Sequence, residues 1–398
     1  MTKPLSGIRI ADFTVHNAGP FCTNLLSQLG AECIKIESAK RLDIFRKPHP
    51  VYGRLGPATF DQVASTKLSV RINLKHAKGV ALAKRLVAIS DVAAESFRPG
   101  VLKRLGLDYE ELRKTKEDII LLAVSSSGQT GPDSHFAGYA PLFGAWGGLG
   151  TMSGYADGPP VEMRHVMDHS VGMNAAVAVL GALHRRRTTG EGALVDIAAR
   201  EVSSSLLGEA MLLAAAGIET KRAGNDHARM APHGVYPASG KDQWISIAVG
   251  SDVDWHALAG VIGAPQLADD RLFADAESRH TNRAEVDRIV ADWTANFQAE
   301  EAAEILQKAG IAAHASWSTS EITADQHLRE RCALVDVAES EDKQRAAVGV
   351  PMRLSKGRDI GIHCGTPKLG EHEDYVYGEL LKISNAERQA LQDEEVIY

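Results

Sequence analysis

A chain of 398 residues with 44% hydrophobic and 24% charged side chains has room for two or three domains and a sizeable core. Its formal net charge of -7 is spread without an acidic tail or a long basic run, which excludes nucleic acid and a membrane surface as main partners and leaves a small ligand. The four cysteines, Cys22, Cys33, Cys332 and Cys364, are far apart with no C-x-x-C pair, so a zinc site and a disulfide framework are not expected and a reducing cytoplasm is.

Met1 to Ser6 carries no apolar h-region, and the later apolar helices are interrupted by polar residues, so neither a signal peptide nor a membrane span is expected. Ile8 to Phe13 is a short apolar run. It ends in a turn-prone loop, Thr14 to Pro20, and is followed by a helical pattern from Phe21 to Gly30 and a second run from Glu32 to Glu37, together a βαβ unit. The alternation repeats with Leu68 to Leu74, a helix from Gly79 to Ile89, a strand near Asp91 to Glu95 and the apolar run Ile119 to Ser125. Strands separated by helices predict an α/β fold with a doubly wound parallel sheet, whose ligands sit beyond the strand ends. Asp168 is expected to open an apolar helix that runs through Gly172 and Ala182 into Arg185-Arg186-Arg187, and a long Ala- and Leu-rich helix is expected from about Glu201 to Ala216.

From Arg222 the text turns loop-like. Trp244 to Val249 then alternates as a strand, and helical patterns at Val253 to Ile262, Arg283 to Phe297 and Ala302 to Ala309 complete a smaller α+β domain. Polar turns fill the tail from Gln326, before a last helical stretch, Asn385 to Glu394, expected to pack back on the first domain. The organisation expected is a large domain from 1–200 and 325–398, a small one from 225–320, and linkers at 201–224 and 321–324.

Asp168 has two readings at a helix start. Aspartate is among the best N-caps, a role worth about 1 kcal/mol. A carboxylate kept ionised by helix N–H groups also attacks activated acyl carbons to form mixed anhydrides. The loop from Thr14 to Pro20 brings N–H groups and the Asn17 amide to a strand end, but it is not a G-x-G-x-x-G fingerprint and a plain βα turn fits it as well. Lys40, Arg41 and Arg46 follow the second strand, and Arg98, Lys103 and Arg104 surround Phe97 and Pro99; such groups bind phosphate and a purine ring, or are simply a solvated face. Ser125 to Pro132 is a turn of the kind that lines sheet edges, or ordinary turn chemistry. His135, His165, His169, His227 and His233 show no metal-ligand spacing, so no metal is expected. Signatures of serine and cysteine hydrolases are missing as well.

Taken in order, Leu5 to Thr14, Ala18-Gly-Pro20, Leu29-Gly-Ala31, Ile34 to Glu37, Glu95 to Gly100, Gly128 to Pro132, Thr189 to Gly192 and Leu369 to His372 resemble the class III CoA-transferase family over nearly the whole chain. That family includes formyl-CoA and carnitine CoA-transferases and, as a related branch, the 2-methylacyl-CoA racemases. The resemblance implies a transferase of EC 2.8.3.-, a Rossmann-like large domain with a smaller α+β domain, and an interlocked dimer. It implies Asp168 as nucleophile and Asn17 as a donor that holds intermediates, where the formyl-CoA enzyme has glutamine. Ala18 lies beside Asn17, while Phe97 and Arg104 match positions contacting the CoA adenosine and phosphates and Tyr139 matches a site tyrosine. Ser38, Ser96 and Ala137 depart from the CoA-contacting residues of the formyl-CoA enzyme, which shifts those contacts to Arg41 or Arg98, and the multi-glycine lid loop of that enzyme has no counterpart near Pro237 to Gly240, which puts formyl-CoA and oxalate chemistry in doubt.

The implied substrates are an acyl-CoA donor and a carboxylic acid acceptor, with coenzyme A as substrate and no permanently bound cofactor. A racemase of the related branch is the first alternative. Racemases place a histidine where this chain has Tyr139, and tyrosine, with an ordinary pKa of about 10, is a poor base at neutral pH, which leaves His135 or His165 as the base in that reading. The second alternative is a non-catalytic subunit of a hetero-oligomer, against a homodimer as the first expectation. Met163, Arg164, His165 and the loop near His233 are expected to face the acid; Arg164 is read as pairing a second carboxylate or as an ordinary surface charge.

Overall fold

The computed structural model describes residues 3–47, 60, 62–340, 343–355 and 360–398. The larger of its two compact units spans 1–150, 162–218 and 326–398, and the smaller spans 151–161 and 219–325.

Six parallel strands form the sheet of the larger unit: β1 (Arg9–Asp12), β2 (Glu32–Glu37), β3 (Leu68–Arg71), β4 (Val92–Glu95), β5 (Ile120–Ser125) and β6 (Ala193–Ala198), in the order β3-β2-β1-β4-β5-β6. β4 and β5 are buried along their whole length, which explains their Val, Ala, Ile and Leu content up to Glu95 and Ser125 at their carboxyl ends: a central parallel strand is covered on both faces. β1 pairs with both β2 and β4, Ile10 standing opposite Cys33 on one side and Val92 on the other. The strand order reverses there, so the crevice of the sheet opens beyond the carboxyl ends of β1 and β4.

Helix α1 (Ala18–Gln28) follows β1 directly, and α2 (Ala77–Ala88), α3 (Val101–Leu105), α4 (Tyr109–Thr115) and α5 (Ala140–Gly147) follow in turn. The next helix, α6 (Arg164–Thr189), begins four residues earlier than expected. Met163 occupies its N-cap in extended conformation and Asp168 is its fifth residue, so Asp168 does not cap it. The reason is packing: Met167, Val171, Ala175 and Val179 recur every four residues and are fully buried, and this stripe draws the first turn into the helix. By length and composition α6 is apolar enough to cross a membrane, yet its Met167–Val179 stripe belongs to the core shared with β4, β5 and α1.

The long helix expected from Glu201 is two short ones, α7 (Ala199–Ser205) and α8 (Glu209–Ala215), divided at Gly208 with φ 54°. Residues 201–218, read above as linker, group with the larger unit. The tail also carries an antiparallel hairpin of β10 (Leu334–Ser340) and β11 (Lys343–Val348), where only polar turns were expected. Beyond it, Val376, Tyr377, Leu381, Ile383 and Ile397 enter the core that holds Ile34, Leu86 and Leu121, and Arg71 makes a two-point ion pair with Glu373 at 2.6 and 2.8 Å. In the smaller unit, β7 (His233–Pro237), β8 (Trp244–Ala248) and β9 (Ala312–Ala315) form an antiparallel sheet around Ile245, Ile247, Trp255, Val286, Val290 and Leu306.

Gly172, one turn beyond Asp168 on α6, is where that helix touches α1. A Cβ there would lie 2.8 Å from the Ala18 carbonyl oxygen and 2.8 Å from the Phe21 ring. Gly172→Ala is therefore predicted to lower stability by about 1–3 kcal/mol despite the better helix propensity of alanine. Urea unfolding checks this, and an unchanged midpoint removes the close approach as a constraint.

Candidate active site

The site is built around the loop between β1 and α1. The Asp12 carboxylate, fully buried at the end of β1, accepts from the Thr14 N–H (2.9 Å) and hydroxyl (2.5 Å), the Thr23 hydroxyl (2.9 Å) and the Lys67 ammonium (2.9 Å). Burial alone pushes this carboxyl up, but the charges of Lys67 and Lys35 and the hydrogen bonds from Thr14 and Lys67 outweigh it, and the pKa falls from 3.8 to about 2. A second clamp holds the next residue: the Val15 N–H donates to Ser96 Oγ and Ser96 Oγ donates to the Val15 carbonyl, both at 2.9 Å.

Between these clamps and α1, His16 is in the left-handed region at φ 66°. Asn17 takes the N-cap position of α1, but its side chain makes no capping bond. Its Nδ2 instead donates to Asp168 Oδ2 at 3.3 Å. Asparagine usually caps at this position; here the amide is turned across to the second helix.

Asp168, Asn17, Ala18, Arg41, Phe97, Arg98 and Tyr139 all line one cleft of about 630 Å³ at the carboxyl ends of β1, β4 and β5. Among the described lining residues Asp168 is the only carboxylate. Arg104 is not brought to the lining; it stands exposed on α3, its guanidinium beside Gly100. Arg46 leaves the basic group as well, because Glu37 takes it in a two-point ion pair at 2.5 and 2.6 Å and its guanidinium stacks over Phe60 at 4.6 Å. Lys40 is paired with Glu395 at 2.7 Å. The side chains of Arg164 and His165 lie outside the described residues. His233 belongs to the smaller unit, where it lines a separate cleft of about 480 Å³ with Asn225 and Asp226.

Several lining residues were not singled out in the sequence. His16 lies in the quoted loop, and Ser96, read only as a departure in CoA contact, is the clamp of that loop. Ser125 and Ser126, by contrast, open the turn expected to line a sheet edge; they present hydroxyls at the end of β5, and among the described residues the buried Ser125 Oγ has no hydrogen-bond partner. Phe136 lines the cleft and stacks on Trp146 at 5.2 Å, with the Arg200 guanidinium 4.7 Å over the Trp146 ring. No spacing rule marks these residues, since the fold alone gathers them.

Glu95 lies behind the cleft, at the end of β4. Its carboxyl accepts from the Phe97 N–H at 2.7 Å and so shapes the turn that carries Phe97 and Arg98. Burial, joined by the Asp196 carboxylate, outweighs that bond and raises its pKa from 4.5 to about 8. The unfolded chain releases this proton near pH 4.5 and the folded chain keeps it to about 8, so the native state binds the extra proton between those limits. The contribution of Glu95 to stability therefore falls as pH rises from about 4.5 to about 8, and is level beyond. Glu95→Gln is predicted to remove this decline: thermal unfolding of the variant gains on the native chain steadily from pH 5 to 8. Parallel pH profiles would show that Glu95 ionises normally.

The description CoA-transferase family III fits residues 5–373 of the chain. A succinyl-CoA–D-citramalate CoA-transferase of Chloroflexus aurantiacus is 32% identical over 402 residues, 99% of this chain and 98% of that protein. The beta subunit of a succinyl-CoA–L-malate CoA-transferase from the same organism is 32% identical over 409 residues, covering 100% and 98%. Among solved structures, a CaiB/BaiF family protein from Brucella suis superposes with a TM-score of 0.86 at 29% identity, over 96% of this chain and 100% of that one. With a parallel sheet whose switch-point cleft presents the Asp168 carboxylate, and a family match over nearly its whole length, the chain belongs to CoA-transferase family III, the transferases of EC 2.8.3.-.

Proposed function

We propose that the chain moves coenzyme A from an acyl-CoA donor to a carboxylic acid acceptor through covalent intermediates on Asp168. The observation that carries this reading is the Asn17 amide held on Asp168 Oδ2 inside the cleft. The Asp168 carboxylate attacks the thioester carbonyl carbon, the C–S bond breaks, and an aspartyl-acyl anhydride and CoA thiolate result. The thiolate then attacks Cγ of Asp168, expels the donor carboxylate and leaves an aspartyl-CoA thioester. The acceptor carboxylate reverses the two steps and frees Asp168. No electrons are transferred to or from a redox partner and no proton is required, so the chemistry needs no resident cofactor and no ATP.

When Cγ of Asp168 is under attack, negative charge builds on the oxygen that Asn17 already faces. A donor fixed there in advance acts on the transition state, and loss of one such donor lowers kcat about 10²- to 10³-fold in comparable sites. Anhydride and thioester both hydrolyse, so the site must exclude water during turnover.

Phe97, Arg98 and Arg41 are the groups of this cleft suited to the adenosine and phosphates, with Ala18 and Tyr139 beside the thioester, and Arg104, exposed on α3 outside the lining, is left to meet a phosphate that extends beyond the cleft. The donor class to test first is a dicarboxylic acyl-CoA, on the succinyl-CoA activities named for both relatives. The racemase alternative loses support at Tyr139, which is 66% exposed and stands where a catalytic histidine would be needed.

The assembly in this reading is a homodimer of interlocked type in the cytoplasm, with the 1–200 and 325–398 segments as the CoA-binding part and 225–320 as the smaller domain. Its support is the outward face of α6, where Val166, Met173, Val177 and Leu180 are exposed along one apolar helix. The hetero-oligomeric alternative has the beta-subunit relative in its favour.

Intact-protein mass spectrometry after incubation with succinyl-CoA, followed by hydroxylamine or borohydride trapping, is the test. The expected outcome is an adduct mapped to Asp168, lost with all transfer activity in a folded Asp168→Ala variant of the chain expressed alone. Transfer that persists without Asp168 would remove the mechanism, and activity that appears only with a second chain would replace the homodimer.

A further inference from the structure

His16 stands one residue before the amide that holds Asp168, yet the chemistry above gives it no task. Its backbone is in the left-handed region, which is unfavourable for a residue with a Cβ. The strain persists because both neighbours are fixed: Val15 by the two hydrogen bonds with Ser96, and Asn17 at the start of α1. Strain maintained by clamps beside a reactive group marks a functional conformation.

The conformation brings the imidazole to the lining of the cleft, exposed, with its ring set edge-on to Tyr139 at 6.2 Å. Among the described residues it has no hydrogen-bond partner, so its ring nitrogens are available to a ligand. The neighbouring lining at Ala18, Ala137, Gly138 and Ala140 is apolar. We propose that His16 is a specificity-determining residue that binds the distal carboxylate of a dicarboxylic acyl group while Asp168 and Asn17 engage the reacting carbonyl.

The proposal rests on the acyl-CoA reading of the cleft. Its geometry is simple: adjacent Cα atoms are about 3.8 Å apart, close to the separation of the two carbonyl carbons of an extended succinyl group. His16 and Asn17, consecutive in the loop, line the same cleft, so one short acyl group can meet both. An imidazole N–H donating to a carboxylate makes a charge-assisted hydrogen bond, the stronger kind.

The test uses the full chain carrying Asp168→Asn, which binds without turnover, titrated calorimetrically with succinyl-CoA and with butyryl-CoA, of equal carbon count but lacking the distal carboxylate. His16→Asn is compared with the parent because asparagine tolerates the left-handed backbone. The expected result is a fall in the succinyl-over-butyryl affinity ratio of about 10- to 100-fold. A ratio kept within about twofold overturns the proposal, as does an equal loss for both ligands, which would make His16 structural.

His16→Gly serves as the second variant. It relieves the strained φ, so its melting temperature is expected to stay level or rise while the ratio falls by the same factor. A lower melting temperature together with an unchanged ratio also overturns the proposal. Since the titration needs no turnover, it fails separately from the trapping experiment at Asp168.

Discussion

The buried Asp12 carboxylate is the constraint on which the site depends. It has no exposure to solvent, and it is compensated by Lys67, equally buried, whose ammonium also donates to the Pro20 carbonyl (3.0 Å) and the Thr23 hydroxyl (2.7 Å). One carboxylate and one ammonium thus tie together the end of β1, the loop after it, the first turns of α1 and the approach to β3. A buried ion pair of this kind adds little net stability over an apolar substitute, but removal of one partner costs about 3–5 kcal/mol because the other is left uncompensated. Its value here is geometric, since it fixes where Thr14 ends and where α1 begins.

From that anchor the positions of the remaining groups follow. Gly19 comes so close to Thr14 and Ser96 that a Cβ would meet both at 2.9 Å, and the Ser96 hydroxyl is then in place to hold Val15. The loop has only His16 left with which to turn, and that residue takes the positive φ. Asn17 therefore arrives at the helix start with its side chain directed to α6 rather than to its own N–H groups. Gly172 lets α6 approach closely enough for the amide to reach Asp168, which lies one turn earlier on the same face.

Much of the sheet was legible in the residues. β2 begins and ends where the run Glu32 to Glu37 does, and β1, β4 and β5 fall within their predicted stretches, because the strands of a covered parallel sheet are rich in apolar residues. The start of α6 was not legible. Local preference favours Asp168 as a cap, but a buried stripe at four-residue spacing carries more free energy than one cap and extends the helix past it. The break at Gly208 and the capture of Arg46 by Glu37 were hidden for the same reason: each depends on a partner distant in space or on a backbone angle that composition does not encode. In the site, Asp168 and Asn17 stand out by residue type and resemblance, whereas His16, Ser96 and Glu95 acquire meaning only through neighbours from other elements.

Three carboxylates around one crevice show why residue type alone does not name a nucleophile. Asp12 is ionised but enclosed, its oxygens committed to Thr14, Thr23 and Lys67. Glu95 is pushed the other way, to about 8, and at neutral pH is mainly a neutral carboxyl that shapes the turn at Phe97. Neither lines the cleft. Asp168 does, half-buried, with a neutral amide on one oxygen. A lysine in Asn17's place would form an ion pair with Asp168 and weaken it as a nucleophile, whereas an amide lets the carboxylate oxygen attack and then donates to the carbonyl oxygen that remains. Environment divides three identical functional groups into an anchor, a proton-holding spacer and a reactive group.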